Sequence, residues 1–181
     1  MVLTGRAGMF SGGFDLQVMR GSMNTAMALA KRFNIGSEDA VVSLSCDSSL
    51  QWSCGCQGAS LLLAADYRIG VDGAFKIGLN EVAIGMTMPH GGVELARGRL
   101  APVFFNRSVI LAEMFSPKEA VIAGFLDKVV SEVEFVPRVQ AIALAMTKLD
   151  MKAHHHTKLK VRAELLQVLD ECIEKDRHGS L

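Results

Sequence analysis

The stretch from Gly58 to Val71 constrains the fold most, because its residue pattern changes once, directly from that of a helix to that of a strand. Residues 59–65 are alanine or leucine except for Ser60 and predict a buried helix, and residues 66–71 follow directly as a predicted strand. Two other short apolar runs, residues 1–5 and 40–44, also predict strands. The chain therefore combines buried helices with buried strands.

Further helices are predicted from residue 88 onward. One runs from residues 88–92 through Arg99, and residues 102–115 form a second apolar helix. A third begins with Ser116 as N-cap, Pro117 at the first helical position and Glu119 three residues after the cap. Gly124 ends that helix, and residues 126–130 form a short strand.

The C-terminal part, from residue 135 onward, is predicted to be amphipathic helix with one break near Asp150. The alternation of polar and apolar residues there indicates a helical segment that packs one face on the core or on a neighbouring subunit.

Charge and composition narrow the function classes. The 181 residues carry 19 basic and 19 acidic side chains, so no electrostatic footprint indicates nucleic acid or an anionic membrane. No apolar run reaches the length of a membrane span, and the N-terminus lacks the apolar core of a signal peptide. Four cysteines are too few for a disulfide framework. We expect a cytoplasmic protein whose partner is a small molecule or another subunit.

Glu81 is the one acidic residue of residues 76–86, where it stands among small and apolar neighbours. Burial disfavours the charged form of a carboxylate and raises its pKa, which suits a general acid/base at neutral pH. The alternative interpretation is a solvated loop residue or a carboxylate at a helix start. The stretch alone favours that alternative, and the rest of the chain favours the acid/base.

A metal site is the competing interpretation of the cysteines and histidines. Cys54 and Cys56 could join the run His154–His156, but Cys-x-Cys is not the usual zinc spacing and leaves the fourth ligand unspecified. We expect no metal and a surface histidine run at the start of the last helix. His90 is predicted to be a loop or helix-cap residue.

From residue 2 to about residue 177, the chain resembles the crotonase (enoyl-CoA hydratase/isomerase) superfamily. The string Ile77-Gly78-Leu79-Asn80-Glu81 is most similar to the Δ3,Δ2-enoyl-CoA isomerases of that superfamily. The other matching pieces are Leu3-Thr4-Gly5, Phe10-Ser11-Gly12-Gly13-Phe14-Asp15-Leu16, Ala65-Asp66-Tyr67-Arg68-Ile69, Gly85, Pro89, Gly91-Gly92, Ala120 and Gly124-Phe125-Leu126-Asp127-Lys128-Val129-Val130.

The resemblance implies an α/β, crotonase-like (ClpP/crotonase) ββα superhelix. Residues 1–135 would form its core, and residues 136–181 a C-terminal helical trimerisation segment. It also implies a homotrimer or a dimer of trimers. Relative to the family, the chain lacks an N-terminal hairpin, helix and strand, so we expect it to be N-terminally truncated.

The family's chemistry implies roles for particular residues. A coenzyme A thioester is the substrate, with no further cofactor, and an enolate forms beside its carbonyl. The Gly12 and Gln57 N–H groups would form the oxyanion hole and Glu81 would move the proton, all three in one pocket. The remaining substrate-binding positions would be Gly13, Phe14, Asp15, Gly58, Gly78 and Leu79, with Met86 or Met88 as candidates for an acyl pocket.

Two departures from the family pattern leave alternatives open. Hydratases use a second glutamate where this chain has Ser60, which favours double-bond isomerisation over hydration. Residues 45–57 differ from the family's oxyanion strand, and a shifted reading frame across Gln51 and Trp52 would restore Asn-Gly. We expect this segment to be the least family-like. The alternatives are an enoyl-CoA hydratase and a catalytically impaired acyl-CoA-binding or assembly subunit.

Overall fold

The computed structural model describes residues Val2–Thr4, Val41–Leu44 and Gln57–His178. Gly12, Gly13, Phe14 and Asp15 lie outside the described residues, as do residues 45–56 of the proposed frame-shifted segment. The described elements, in chain order, are β1 (Val2–Thr4), β2 (Val41–Leu44), α1 (Gln57–Ala64), β3 (Tyr67–Val71), a 3-10 helix (Val82–Ile84), α2 (His90–Arg99), α3 (Pro102–Val109), α4 (Pro117–Ala123), β4 (Lys128–Val130), α5 (Glu132–Met146), α6 (Met151–Val161) and α7 (Ala163–His178).

The four described strands form one parallel sheet in the order β1-β2-β3-β4. Val41 pairs with Tyr67, and Ile69 pairs with Lys128. Parallel neighbours require crossover connections, and α1 follows β2 and precedes β3 as such a connection requires. The α/β fold class predicted from the sequence is confirmed.

The buried helix predicted at residues 59–65 is confirmed as α1. Ala59, Leu62 and Leu63 are completely buried, and β3 is buried from Arg68 onward. Each fully buried leucine contributes about 1.5–3 kcal/mol relative to an exposed one. The same core cluster receives Ile77, Leu79, Leu95, Phe115, Phe125 and Leu126 from elements that follow in the chain.

The predicted end signals of α4 are also confirmed. Ser116 and Glu119 form a reciprocal capping box with Pro117 in the first turn, and Gly124 ends α4 in the left-handed conformation at φ 97°. A Cβ at Gly124 would also lie 2.9 Å from the Arg99 carbonyl oxygen. The local sequence thus fixes both ends of α4.

The helix predicted over residues 102–115 is wrong in its second half, because α3 ends at Val109. Phe115 instead pairs with Ile77 in an antiparallel bridge, with N–H···O distances of 2.9 Å in both directions. That bridge requires extended backbone, and Ala112 at φ 50° turns the chain toward it. A contact with a distant residue overrides the local apolar pattern.

The C-terminal segment has two breaks, whereas one was predicted. The first break is at residues 147–150, close to the predicted position. The second is at Arg162, the C-cap residue of α6, with φ −100° and ψ 4°. The boundary predicted after residue 135 falls inside α5. None of the helices in the described ranges is long and apolar enough to cross a membrane.

Candidate functional site

Glu81 is a buried carboxylate, with 7% of its surface exposed. It directly precedes the 3-10 helix, but its side chain makes no capping hydrogen bond there. Its carbonyl accepts from the Ile84 and Met86 N–H groups at 3.1 and 2.9 Å, which fixes the turn. Glu81 therefore stands at a helix start, as the alternative interpretation held, but it is not solvated.

The chain leading to Glu81 is anchored in the core. Ile77 and Leu79 are completely or almost completely buried, and Ile77 is held by its bridge to Phe115. Gly78 lies between them where the backbone of residues 113–114 passes closely. A Cβ at Gly78 would lie 2.8 Å from the Glu113 carbonyl oxygen and 2.8 Å from the Met114 sulfur.

Gly78→Ala should therefore displace this anchor. We expect a loss of about 1–3 kcal/mol in the free energy of unfolding, because the added methyl meets backbone that cannot move aside easily. Denaturant unfolding measures the loss. Gly73→Ala is the matched control, since a Cβ there meets only the Phe75 ring at 3.3 Å. Equal stability of the two variants would contradict the close approach at Gly78.

An apolar surface follows Glu81 directly. Val82 is 45% exposed and Ile84 is 49% exposed, while Met86 and Met88 are half-buried. These exposed side chains form a small apolar patch next to Glu81 in the chain. The role of Met86 or Met88 in an acyl pocket stays a prediction.

The start of α1 shares its core with the Glu81 segment. Gln57 is the first residue of α1, Gly58 is buried, and Ala59 belongs to the same core cluster as Leu79. Ser60 follows on α1 and is half-buried. The structure thus builds two of the predicted site elements on one core, and the predicted partner Gly12 lies outside the described residues.

The other end of α1 carries charged residues whose roles sequence analysis did not identify. Asp66, two residues after the end of α1, accepts from Lys158 and Arg162, both at 2.8 Å. Arg99 donates to the Ala65 carbonyl at 2.7 Å. Lys158 and Arg162 are four residues apart, a spacing that places them on one helix face and could have indicated a shared partner.

The buried Arg68 and the exposed Asp127 form a second connection. The Arg68 backbone N–H and guanidinium both donate to the Asp127 carboxylate, at 2.7 to 2.9 Å, and Arg68 also donates to the Gly124 carbonyl. This fork joins β3 to the turn before β4. Residues 65–69 match the family motif, and their two charged side chains, Asp66 and Arg68, thus have structural roles.

Within the described ranges, no group of three or more His, Cys, Asp or Glu side chains could hold a metal ion. His154–His156 lie in α6, the middle helix of the C-terminal segment, so their predicted place in the last helix is wrong. His154 and His155 are half-buried, not fully on the surface. His90 is the first residue of α2, directly after the N-cap residue Pro89, and is exposed.

A cleft of about 380 Å³ lies at the carboxyl ends of β3 and β4. It includes no residue of the Glu81 segment, and its charged lining does not suit an acyl chain. Its lining residues are Asp72, Lys118, Lys128, Val129, Val130, Ser131, Glu134 and Arg138.

Comparison with known proteins agrees with this architecture. The family model described as enoyl-CoA hydratase/isomerase matches residues 1–178. A solved enoyl-CoA hydratase/isomerase family protein from Pseudomonas syringae is 50% identical, with a TM-score of 0.88 over 99% of this chain and 79% of that one. An enoyl-CoA isomerase from Mycobacterium tuberculosis is 30% identical, with a TM-score of 0.84 over 98% and 77%.

Curated relatives include both reaction types. Human mitochondrial enoyl-CoA delta isomerase 1 is 29% identical over 117 residues, which are 64% of this chain and 37% of that protein. A crotonyl-CoA hydratase from Syntrophomonas wolfei is 31% identical over 86 residues, which are 48% of this chain and 33% of that protein. The matched part thus spans about a third of each curated relative.

The family match over nearly the whole chain and the shared fold confirm the resemblance recognised in the sequence. The fold is that of the crotonases, an α/β architecture with a C-terminal helical segment. This chain belongs to the enoyl-CoA hydratase/isomerase family.

Proposed function

We propose that this protein shifts a carbon–carbon double bond in an enoyl-CoA, with Glu81 as the single acid/base. The burial of Glu81, 7% exposed at the end of a core-anchored segment, is the observation that carries the proposal. A carboxylate withheld from water exchanges protons with a substrate rather than with solvent.

The proposed reaction moves one proton between two carbons. The Glu81 carboxylate removes a proton from the carbon next to the thioester carbonyl of a 3-enoyl-CoA. The electron pair moves onto the thioester oxygen and gives a dienolate, which the Gly12 and Gln57 N–H groups stabilise. Glu81, now protonated, returns the proton to the far carbon, and the double bond ends beside the carbonyl.

Two features of the described residues support this assignment, and the first favours it over the hydratase. Ser60 stands where a second glutamate would activate water, and a hydroxyl cannot replace a carboxylate as a base at neutral pH. The exposed apolar residues Val82 and Ile84 adjoin Glu81 and suit an acyl chain.

The experiment compares two substrates with the purified protein. We expect faster conversion of a 3-enoyl-CoA to its 2-enoyl isomer than hydration of a 2-enoyl-CoA, and we expect Ser60→Ala to change the isomerisation kcat by less than about threefold, because Ser60 has no role in the proton transfer. Absorbance at the enoyl thioester band measures both reactions.

Two outcomes would contradict the proposal. Dominant hydration that survives in Glu81→Gln would make the protein a hydratase with a different acid/base. Coenzyme A ester binding without turnover of either substrate would favour a catalytically impaired acyl-CoA-binding subunit.

A further inference from the structure

The carboxyl end of α1 is held by two guanidinium groups. The Ala64 carbonyl accepts from Arg162 Nη1 at 3.0 Å, and the Ala65 carbonyl accepts from Arg99 Nη2 at 2.7 Å. The last carbonyls of a helix have no partner within the helix, and cations there also favour its dipole. These two arginines come from α2 and from the α6–α7 junction, so two separate elements fix one helix end.

Arg162 is itself rigidly held. Its Nη2 donates to Asp66 Oδ1 at 2.8 Å, while Lys158 Nζ donates to Asp66 Oδ2 at 2.8 Å. The three side chains are only 6–12% exposed. Arg162 therefore donates both to the last carbonyl of α1 and to Asp66, from a side chain that is 11% exposed.

The positive charge of Arg99 carries an energetic cost in the folded protein. Burial and the neighbouring cations Arg68 and Arg162 lower the pKa of Arg99 to about 10. Because the pKa is lower in the folded protein than in the unfolded chain, the positive charge of Arg99 is less favourable in the fold than in water, and this cost opposes the gain from the Ala65 hydrogen bond. Its Nε is buried without a hydrogen bond among the described residues.

We propose that Arg99 and Arg162 are positioning residues, which hold α1 so that the Gln57 N–H at its opposite end points at the thioester oxygen. This inference rests on the proposed function, in which Gln57 supplies an oxyanion donor. The helix has eight residues and is about 12 Å long, so it transmits a tilt or shift from one end to the other as a rigid body. Donors must lie about 3 Å from the developing oxyanion, and a 1 Å misplacement can cost about 100-fold.

The test combines kinetics with a spectroscopic probe. A bound 2,4-dienoyl-CoA absorbs at longer wavelength when donors polarise its thioester carbonyl, so the red shift reports the oxyanion hole without turnover. We expect Arg99→Met to lower kcat by about 10-fold to 100-fold and to reduce the red shift, with KM within about threefold of the parent. Its melting temperature should change little, because the lost hydrogen bond to Ala65 and the removed cost of the buried charge act in opposite directions.

Conservative variants separate positioning from a general packing effect. Arg99→Lys keeps one donor for one carbonyl and should restore most of kcat and the red shift. Arg162→Lys cannot bond Ala64 and Asp66 together through a planar fork. This variant should therefore have a lower kcat and a smaller red shift than the parent protein. Arg107→Met is the matched control, because Arg107 is a surface cation paired with Glu113. If Arg99→Met does not fold, Arg99→Gln, whose shorter amide cannot span the same distance, takes its place with the same expected losses.

The outcomes distinguish this inference from the proposed function. Full kcat and full red shift in folded Arg99→Met would overturn the positioning role, as would an equal loss in Arg107→Met. A parent protein that polarises the dienoyl-CoA without isomerising a 3-enoyl-CoA would overturn the isomerase alone, and the red shifts of the variants would still decide the role of the arginines. A parent that isomerises a 3-enoyl-CoA but gives no red shift would overturn the positioning role and leave the isomerase in place.

Discussion

Glu81→Gln should reduce the kcat for isomerisation by about 100-fold to 10,000-fold, the range that loss of a general acid/base produces. The amide keeps the shape of the carboxyl group and removes its ability to accept a proton. With one group removing and returning the proton, no second residue can substitute. Affinity for the acyl-CoA should stay within about threefold, since the thioester and coenzyme A contacts are unchanged.

Steady-state kinetics and equilibrium binding of a saturated acyl-CoA measure the two quantities. Glu94→Gln is the matched control, because Glu94 lies on α2 and pairs with Arg97 on the protein surface. It should retain the kcat of the parent. A Glu81→Gln variant that keeps more than a tenth of the parent kcat would show that another group moves the proton.

Asp66→Asn should lower the free energy of unfolding by about 3–5 kcal/mol, the usual cost of removing one partner from a buried ion pair. The side chains of Lys158 and Arg162 are 6% and 11% exposed, so both cations would remain buried without their carboxylate. The loss should include detachment of α6 from the end of α1, since these contacts join the two elements.

Chemical denaturation measures the loss, and Asp72→Asn provides the control. Asp72 pairs with Lys118 at 2.7 Å, but its side chain is 46% exposed and that of Lys118 is 75% exposed. Exposed pairs contribute about 0–1 kcal/mol because water and salt screen them. If the two variants lost equal stability, burial would not be what makes the Asp66 interactions strong.

The candidate site was predictable from the sequence only at the level of single residues. The apolar neighbours of Glu81 indicated burial, and the side chain is buried. Its role, and those of Gln57, Gly58, Gly78 and Leu79, remain predictions. The sequence motif at residues 65–69 was recognised, but its partners were not, because Lys158 lies 92 residues and Arg162 lies 96 residues from Asp66.

The sequence by itself determined the elements whose signals are local. Ser116 and Glu119 bond across one helical turn and Gly124 adopts the left-handed conformation without a Cβ penalty, so a few adjacent residues suffice to fix α4. The apolar runs likewise determined α1 and β3. Only the tertiary structure decided where α3 ends and what holds the far end of α1. Phe115 leaves the helical pattern to pair with Ile77, and Arg99 and Arg162 come from other elements to reach α1. Such contacts depend on which segments the core brings together, and local periodicity carries no information about that.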